Sequence, residues 1–135
     1  MALMEWSDKF SVGINSIDTQ HKQLIGLINK LFDALSTGKG DQALAPILNE
    51  LIVYTKTHFT YEEHLFTKFA YPELSQHKAD HDKLAAQVLG IQKQMQEGKV
   101  GLSVATMTFL KDWLSNHIVG SDKKYGPFLS GKGVV

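Results

Sequence analysis

The sequence contains no cysteine. This absence excludes disulfides, thiolate metal sites, iron–sulfur clusters and cysteine nucleophiles, and it is compatible with a reducing compartment. Apolar runs are also short: none approaches the roughly 20 residues that cross a bilayer, and the N-terminus lacks a basic segment followed by an apolar core. The sequence therefore predicts a cytoplasmic protein without a membrane partner.

An excess of charge of either sign is missing as well. Lysine plus arginine number 14, and aspartate plus glutamate also number 14. No basic field is available to attract nucleic acid, so we expect no nucleic-acid partner, and the charge does not indicate any protein partner. The 135 residues have the length of one ordinary domain, and we predict a single domain over residues 1–135.

Strand-like alternation of any length is absent, and helical periodicity replaces it. After an irregular arm with Trp6, Phe10 and Val12, apolar residues recur at steps of three and four in four segments: 17–35, 44–69, 74–95 and 107–117. Glycine-containing breakers or Tyr71-Pro72 separate the segments. Short connections favour antiparallel neighbours. The predicted fold is an all-α, up-down-up-down four-helix bundle with an irregular N-terminal arm.

Five of the six histidines and two carboxylates form one ordered pattern along these helices. They are His21, His58, Glu62, His77, His81, His117 and Asp122. Residues four apart lie on one helix face, so His58 with Glu62, and His77 with His81, can each direct two ligands to one point. The alternating helix directions bring all seven to one end of the bundle. Seven ligands are too many for one zinc ion, and imidazoles with carboxylates favour two iron or manganese ions.

Other interpretations of the polar residues fit less well. If the seven were ordinary core residues, each buried polar group without a partner would cost about 1 to 3 kcal/mol. A ferritin-like oxidase site uses Glu-x-x-His pairs, and a helical zinc protease uses His-Glu-x-x-His. Neither motif occurs in this sequence. A dinuclear metal centre is the prediction that remains.

At these residues the chain resembles the hemerythrin family, specifically its single-domain bacterial members. The resemblance covers essentially the whole chain, from Asp18-Thr-Gln-His21 through His58-Phe-x-x-Glu62-Glu63 and Tyr71-Pro72 to Trp113-Leu-x-Asn-His117 and Asp122-Lys-x-Tyr-Gly-Pro. It implies two non-heme iron ions, bridged by carboxylates and an oxo or hydroxo group, that bind dioxygen reversibly.

The resemblance also implies a role for each ligand. His77, His81 and His117 would hold one iron, and His21 and His58 the other. Glu62 and Asp122 would bridge the two. The iron with fewer histidines would keep an open position for dioxygen.

Four apolar residues beside the ligands match the wall of the oxygen pocket in this family: Leu24, Phe59, Trp113 and Leu114. Ordinary core packing is the competing interpretation for each of them.

Several residues near the ligands receive no metal role. His64 falls on a different helix face from Glu62, so we expect it to be exposed. Asp18, Glu63 and Asp80 adjoin ligands, and we favour solvated helix charges over partners of the imidazole rings. Gly120 is expected to loosen the chain before Asp122.

The predicted function is reversible dioxygen carriage or storage by a protein that is not an enzyme. A sensor of oxygen or redox state remains open, because a sensor needs the same reversible site. A diiron redox enzyme or an iron store also remains open, although an enzyme would need a proton donor beside the open iron, and the sequence offers no obvious one.

Overall fold

Four long helices form the body of the molecule in a computed structural model, which describes residues 3–38, 41–98 and 103–135. They are α1 (Asn15–Ser36), α2 (Asp41–Lys68), α3 (Leu74–Gln96) and α4 (Val104–His117). α1 packs on α2 and α4, and α2 packs on α3. No strand occurs among the described residues, and none of their helices is long and apolar enough to cross a membrane. The prediction of an all-α antiparallel bundle is confirmed.

The turn between α2 and α3 is closed by a helix-ending hydrogen-bond pattern. The backbone N–H of Tyr71 donates to the carbonyl of Phe66 at 2.9 Å, which is the six-residue closure of a Schellman motif. Ala70 occupies its left-handed position, at φ 54°. Pro72 follows at once and prevents α2 from continuing. The chain therefore reverses within a few residues, and the start of α3 lies beside the end of α2.

The chain after α4 remains helical, where the sequence suggested a loosened segment. A π-helical turn spans Ile118–Asp122 and leads directly into a fifth helix, α5 (Lys123–Gly131). Gly120 lies inside the π-helical turn, so the expectation of a loose chain at this point is wrong. In an ordinary α-helix His117 and Asp122 would be rotated about 140° apart, since each residue turns the chain by about 100°. The wider π-helical turn brings residues five apart onto one face.

α5 was not predicted, although its inner face is part of the core. Tyr125, Gly126 and Leu129 are buried. The helix is only nine residues long and contains Pro127. A segment of that length shows too few turns for an apolar period to be recognised.

Two apolar clusters lie on either side of the predicted ligands. The larger one fills the long part of the bundle and includes Leu24, Phe59 and Leu114. The smaller one lies at the end of the bundle and is formed by Val12, Ile14, Ile17, Leu65, Phe66, Tyr71, Tyr125 and Leu129. The polar residues lie where the two clusters meet; in α1, for example, His21 falls between Ile17 of the smaller cluster and Leu24 of the larger one. They therefore occupy a polar layer enclosed by apolar packing.

The N-terminal arm is tied to α1 at two places. Asn29 exchanges hydrogen bonds with the backbone of Met4, accepting at 2.9 Å and donating at 2.8 Å. Asp18 accepts from the Ser11 hydroxyl at 2.6 Å and from the Val12 backbone N–H at 2.9 Å. Asp18 is thus an anchor for the arm, and the interpretation of it as a solvated charge is wrong.

The N-cap of α4 supports a stability prediction. Ser103 is this N-cap, and its hydroxyl accepts from the Thr106 backbone N–H at 3.2 Å. We expect Ser103→Ala to lower the free energy of unfolding by about 1 kcal/mol, measured by urea denaturation, because an amide at the helix start loses its acceptor. Ser103→Asp is the control and should retain the wild-type value. Equal losses in both variants would contradict the capping role.

Candidate metal centre

All seven predicted ligands lie together in the polar layer between the two apolar clusters. His21 comes from the start of α1, His58 and Glu62 from the later half of α2, and His77 and His81 from the start of α3; His117 ends α4, and Asp122 ends the π-helical turn. Their exposure is between 0 and 7%. The bundle therefore brings these residues from five segments to one buried place.

The seven residues divide into two overlapping groups whose ligand atoms lie within 4.8 Å of one another. One group contains His77, His81 and His117, and the other contains His21 and His58. Glu62 and Asp122 belong to both groups. The arrangement could hold two adjacent metal ions that share two carboxylates.

Asp122 lies between the two groups and directs one oxygen to each. Its Oδ1 is 3.0 Å from Nε2 of His77 and 3.0 Å from Nε2 of His117. Its Oδ2 is 3.1 Å from Nε2 of His21. A carboxylate whose two oxygens face different sets of imidazoles has the geometry of a bridge.

Glu62 also touches both groups, mainly through one oxygen. Its Oε1 lies 3.1 Å from Nε2 of His81 and 3.4 Å from Nε2 of His58. Its Oε2 accepts a hydrogen bond from the hydroxyl of Tyr125. Glu62 thus offers one oxygen to the histidines of both groups while a neighbouring side chain holds the other.

Most of the donor atoms fit a bound cation better than they fit one another, although Nε2 of His21 and Nε2 of His58 form a hydrogen bond of 3.0 Å. Several buried atoms have no hydrogen-bond partner among the described residues: Nε2 of His77, His81 and His117, Oε1 of Glu62, and both carboxylate oxygens of Asp122. These atoms lie about 3 to 4 Å from each other, yet their contacts lack hydrogen-bond geometry. Each buried polar atom without a partner costs about 1 to 3 kcal/mol. Metal ions bound at the centre of each group would satisfy them.

Electrostatics keep both shared carboxylates ionised. Burial raises the pKa of Asp122, but attraction to His117 and the close contacts with His21 and His77 outweigh burial and hold that pKa well below its ordinary value. Burial likewise raises the pKa of Glu62, and repulsion from Asp122 adds to it, yet His58, His81 and His21 lower it overall. The centre therefore has two carboxylate anions available to metal ions.

Burial and the neighbouring charges shift the pKa values of three imidazoles in different directions. Burial lowers the pKa of His58 to about 4, so its ring is neutral, as a metal ligand must be. Burial also lowers the pKa of His21 and of His117, but their contacts with Asp122 outweigh burial and raise both values. Protons on these two rings would compete with metal ions for the same nitrogen atoms.

Two ligand rings are held from behind by polar side chains. Nδ1 of His81 is 2.8 Å from Oε2 of Glu63, and Nδ1 of His58 is 2.6 Å from Oε1 of Gln20. A ring that donates from Nδ1 presents Nε2 to a metal in a fixed orientation. Glu63 is therefore a partner of a ligand ring, and its interpretation as a solvated charge is wrong. Gln20 was missed, since nothing in the sequence showed that it faces His58 on another helix.

The remaining polar neighbours show no such contact among the described residues. Asp80 lines a surface groove between α3 and α4, with His117 at its edge. His64 is exposed, as predicted, and belongs to neither ligand group among the described residues.

Tyr125 is the main residue of the site that sequence reasoning did not assign. It is fully buried and donates its hydroxyl proton to Glu62. Burial raises its pKa well above the ordinary value, and the negative charges of Glu62 and Asp122 raise it further. The phenol therefore keeps its proton and acts as a donor.

An apolar pocket adjoins the group with two histidines. Leu24, Phe59, Trp113 and Leu114, the four predicted wall residues, line it together with Leu84 and with His21, His58, His117 and Asp122. The pocket is tightly packed and leaves no room for a water molecule. The indole N–H of Trp113 donates to the carbonyl of Leu84 at 3.2 Å and joins α4 to α3 at the wall. Leu84 was predicted only as an apolar helix residue.

Comparisons with known proteins agree with this geometry. The family model described as "Hemerythrin HHE cation binding domain" matches residues 12–129. A protein named bacteriohemerythrin from Methylococcus capsulatus is 39% identical over 131 residues, covering 96% of this chain and 99% of the relative. A hemerythrin-like protein from Naegleria gruberi is 38% identical, covering 89% and 88%. A crystal structure of wild-type hemerythrin matches with a TM-score of 0.91 at 38% identity, covering 96% of this chain and 99% of that one.

A four-helix bundle that encloses histidines around two shared carboxylates defines a class of non-heme dinuclear metal proteins. The chain belongs to the hemerythrin family. Its buried cluster can hold the diiron centre with which that family binds dioxygen.

The contact between Glu63 and His81 generates a prediction about metal affinity. We expect Glu63→Ala to weaken iron binding about 10- to 100-fold, because the His81 ring loses the acceptor that orients it. Competition with a coloured ferrous chelator would measure the change. Glu50→Ala is the control, since Glu50 lies on the same helix as Glu63 and, among the described residues, forms an exposed ion pair with Lys30 of α1. Equal iron affinities in the two variants would show that Glu63 does not support the His81 ring.

Proposed function

We propose that this chain carries or stores dioxygen by reversible binding at a non-heme diiron centre, and that it is not an enzyme. In this proposal His77, His81 and His117 hold one iron, His21 and His58 hold the other, and Glu62 and Asp122 bridge them. The position of Asp122 carries the assignment, because its two oxygens face the two histidine groups separately.

The uneven distribution of histidines supports a ligand position on one side of the centre. Three imidazoles and the shared carboxylates form one group, whereas two imidazoles and the same carboxylates form the other. The apolar pocket contacts both histidines of the less crowded position, His21 and His58, but only His117 of the other position. Two ferrous ions, one at each position, would supply one electron each to dioxygen and recover them on its release.

The contribution of the protein is to hold the ligands and to exclude water. Glu63 and Gln20 orient two rings, and Tyr125 holds one oxygen of Glu62. The pocket wall is formed by aliphatic and aromatic side chains, and its only acidic or basic residues are candidate ligands. An enzyme at this site would need to deliver protons to its substrate. The described residues that line the pocket include no acid or base apart from the candidate ligands, which supports reversible binding over catalysis.

Anaerobic reconstitution with ferrous iron tests the proposal. Iron per chain is counted, and the visible spectrum is recorded before oxygen is admitted, after it is admitted and after it is purged. We expect two irons per chain and an oxygen-dependent absorption band that disappears on purging. Irreversible oxidation would contradict the carrier function, and fewer than two irons would contradict the diiron assignment.

Removal of one candidate ligand provides a sharper test of the metal assignment. We expect His81→Ala to lose stable binding of two irons, with at most one retained after gel filtration, because the position with three histidines loses a ligand. His64→Ala is the matched control and should retain two, since His64 is exposed on the same bundle. Full iron content in His81→Ala would refute the role of His81.

The pocket wall generates a separate prediction about the lifetime of the oxygen-dependent band. We expect Leu114→Ala to retain iron but to lose the band several-fold faster in air, because truncation opens the pocket to water. Leu110→Ala is the control: Leu110 is equally buried one turn away on α4 but does not line the pocket. Both variants lose apolar packing, at a cost of about 2 to 5 kcal/mol. Identical decay rates in the two variants would show that Leu114 is an ordinary core residue with no role in shielding the pocket.

A further inference from the structure

α5 and the N-terminal arm approach each other too closely for any side chain at the contact. A Cβ atom added to Gly126 would overlap the carbonyl oxygen of Val12 and would lie 3.1 Å from its carbonyl carbon. The obstacle is backbone, which cannot rotate away as a flexible side chain could. An alanine at position 126 would therefore push α5 and the arm apart.

The arm is fixed on its other side by α1. Asp18 lies in the first turn of that helix, and its two oxygens hold the Ser11 hydroxyl and the Val12 backbone N–H. The backbone of Val12 is thus held between Asp18 and Gly126. Because Asp18 lies one turn before His21 on α1, the arm is anchored next to a candidate metal ligand.

The residue next to Gly126 is the one that contacts the centre. Tyr125 is fully buried, packs its ring 5.0 Å from that of Phe66, and donates its hydroxyl to Oε2 of Glu62. Val12 and Tyr125 belong to the same apolar cluster. A displacement of α5 away from the arm would therefore carry the phenol away from Glu62.

Loss of that hydrogen bond would affect the carboxylate directly. Oε2 of Glu62 has no other hydrogen-bond donor among the described residues, and the side chain is fully buried. A carboxylate without this donor would be free to turn toward the imidazoles. Its Oε1, which lies 3.1 Å from His81 and 3.4 Å from His58, would then leave the position between the two groups.

We propose that Gly126 and Asp18 are positioning residues for the metal centre: together they hold the N-terminal arm against α5 and thereby keep Tyr125 hydrogen-bonded to Glu62. The effect on iron rests on the proposed function. The effect on Tyr125 does not, and it can be measured in the metal-free protein.

The first measurement follows the Tyr125 hydroxyl proton by NMR in the metal-free protein. A buried, strongly hydrogen-bonded hydroxyl gives a slowly exchanging downfield signal, which is assigned by its loss in Tyr125→Phe. We expect the signal to shift or disappear in Gly126→Ala and in Asp18→Ala. Gly131→Ala is the matched control, because the same substitution in the same helix meets nothing within 4 Å. An unchanged signal in both test variants would overturn the proposal, whatever the iron content.

The second measurement is the rate at which a chelator removes iron from the loaded protein. We expect Gly126→Ala and Tyr125→Phe each to accelerate removal about tenfold or more, and Gly131→Ala to leave it unchanged. If Gly126 acts through Tyr125, the double variant should be no faster than the faster single variant. Multiplied effects in the double variant would overturn this route.

Asp18→Ala also protects the test against misfolding, because it removes the anchor without introducing a clash. Circular dichroism confirms that each variant retains its helices before the comparison. Asp18→Asn retains a carbonyl oxygen that can accept from the Val12 N–H, so it should recover most of the Tyr125 signal. Failure of the wild-type protein to bind iron would count against the proposed function, while the NMR result would still decide the role of the arm.

Discussion

The structure depends on two buried carboxylates that five imidazoles share. Glu62 and Asp122 are inaccessible to solvent, and both remain anionic because histidines surround them. Removing one partner of such a buried charge costs about 3 to 5 kcal/mol, so the residues at this layer constrain one another. The apolar clusters on either side exclude water and make that dependence stronger. Four helices, a π-helical turn and a short fifth helix are all held in place around this layer.

Local periodicity explains how much of this could be predicted from the sequence. The pairs His58 with Glu62 and His77 with His81 are visible because a helix repeats every few residues, and that repeat depends only on nearby sequence. Alternating helix directions then place His21 and His117 at the same end. The fold and the convergence of the seven residues follow from these two rules, and the observed distances agree with them.

The residues that sequence reasoning missed depend on contacts between distant segments. Gln20 contacts a ring on α2, Tyr125 reaches Glu62 across 63 positions of sequence, and Asp18 holds an arm that lacks any periodic pattern. The structural role of a glycine also cannot be read from the sequence alone. At Gly120 it suggested a loose chain but lies within a helix, whereas Gly126 allows two backbones to approach each other.

The π-helical turn has a consequence for how this chain can vary in length. Inserting one residue between His117 and Asp122 would rotate everything that follows by about 100°, whereas a deletion would leave an α-helical turn, in which residues four apart still share a face. After an insertion, Asp122 would turn out of the polar layer, and α5 would carry Tyr125 away with it. Insertions in a surface connection between helices carry no such penalty. Natural insertions should therefore be confined to the connections, and a spacing that returns His117 and Asp122 to one helix face is as much a requirement of the centre as the identity of these two residues.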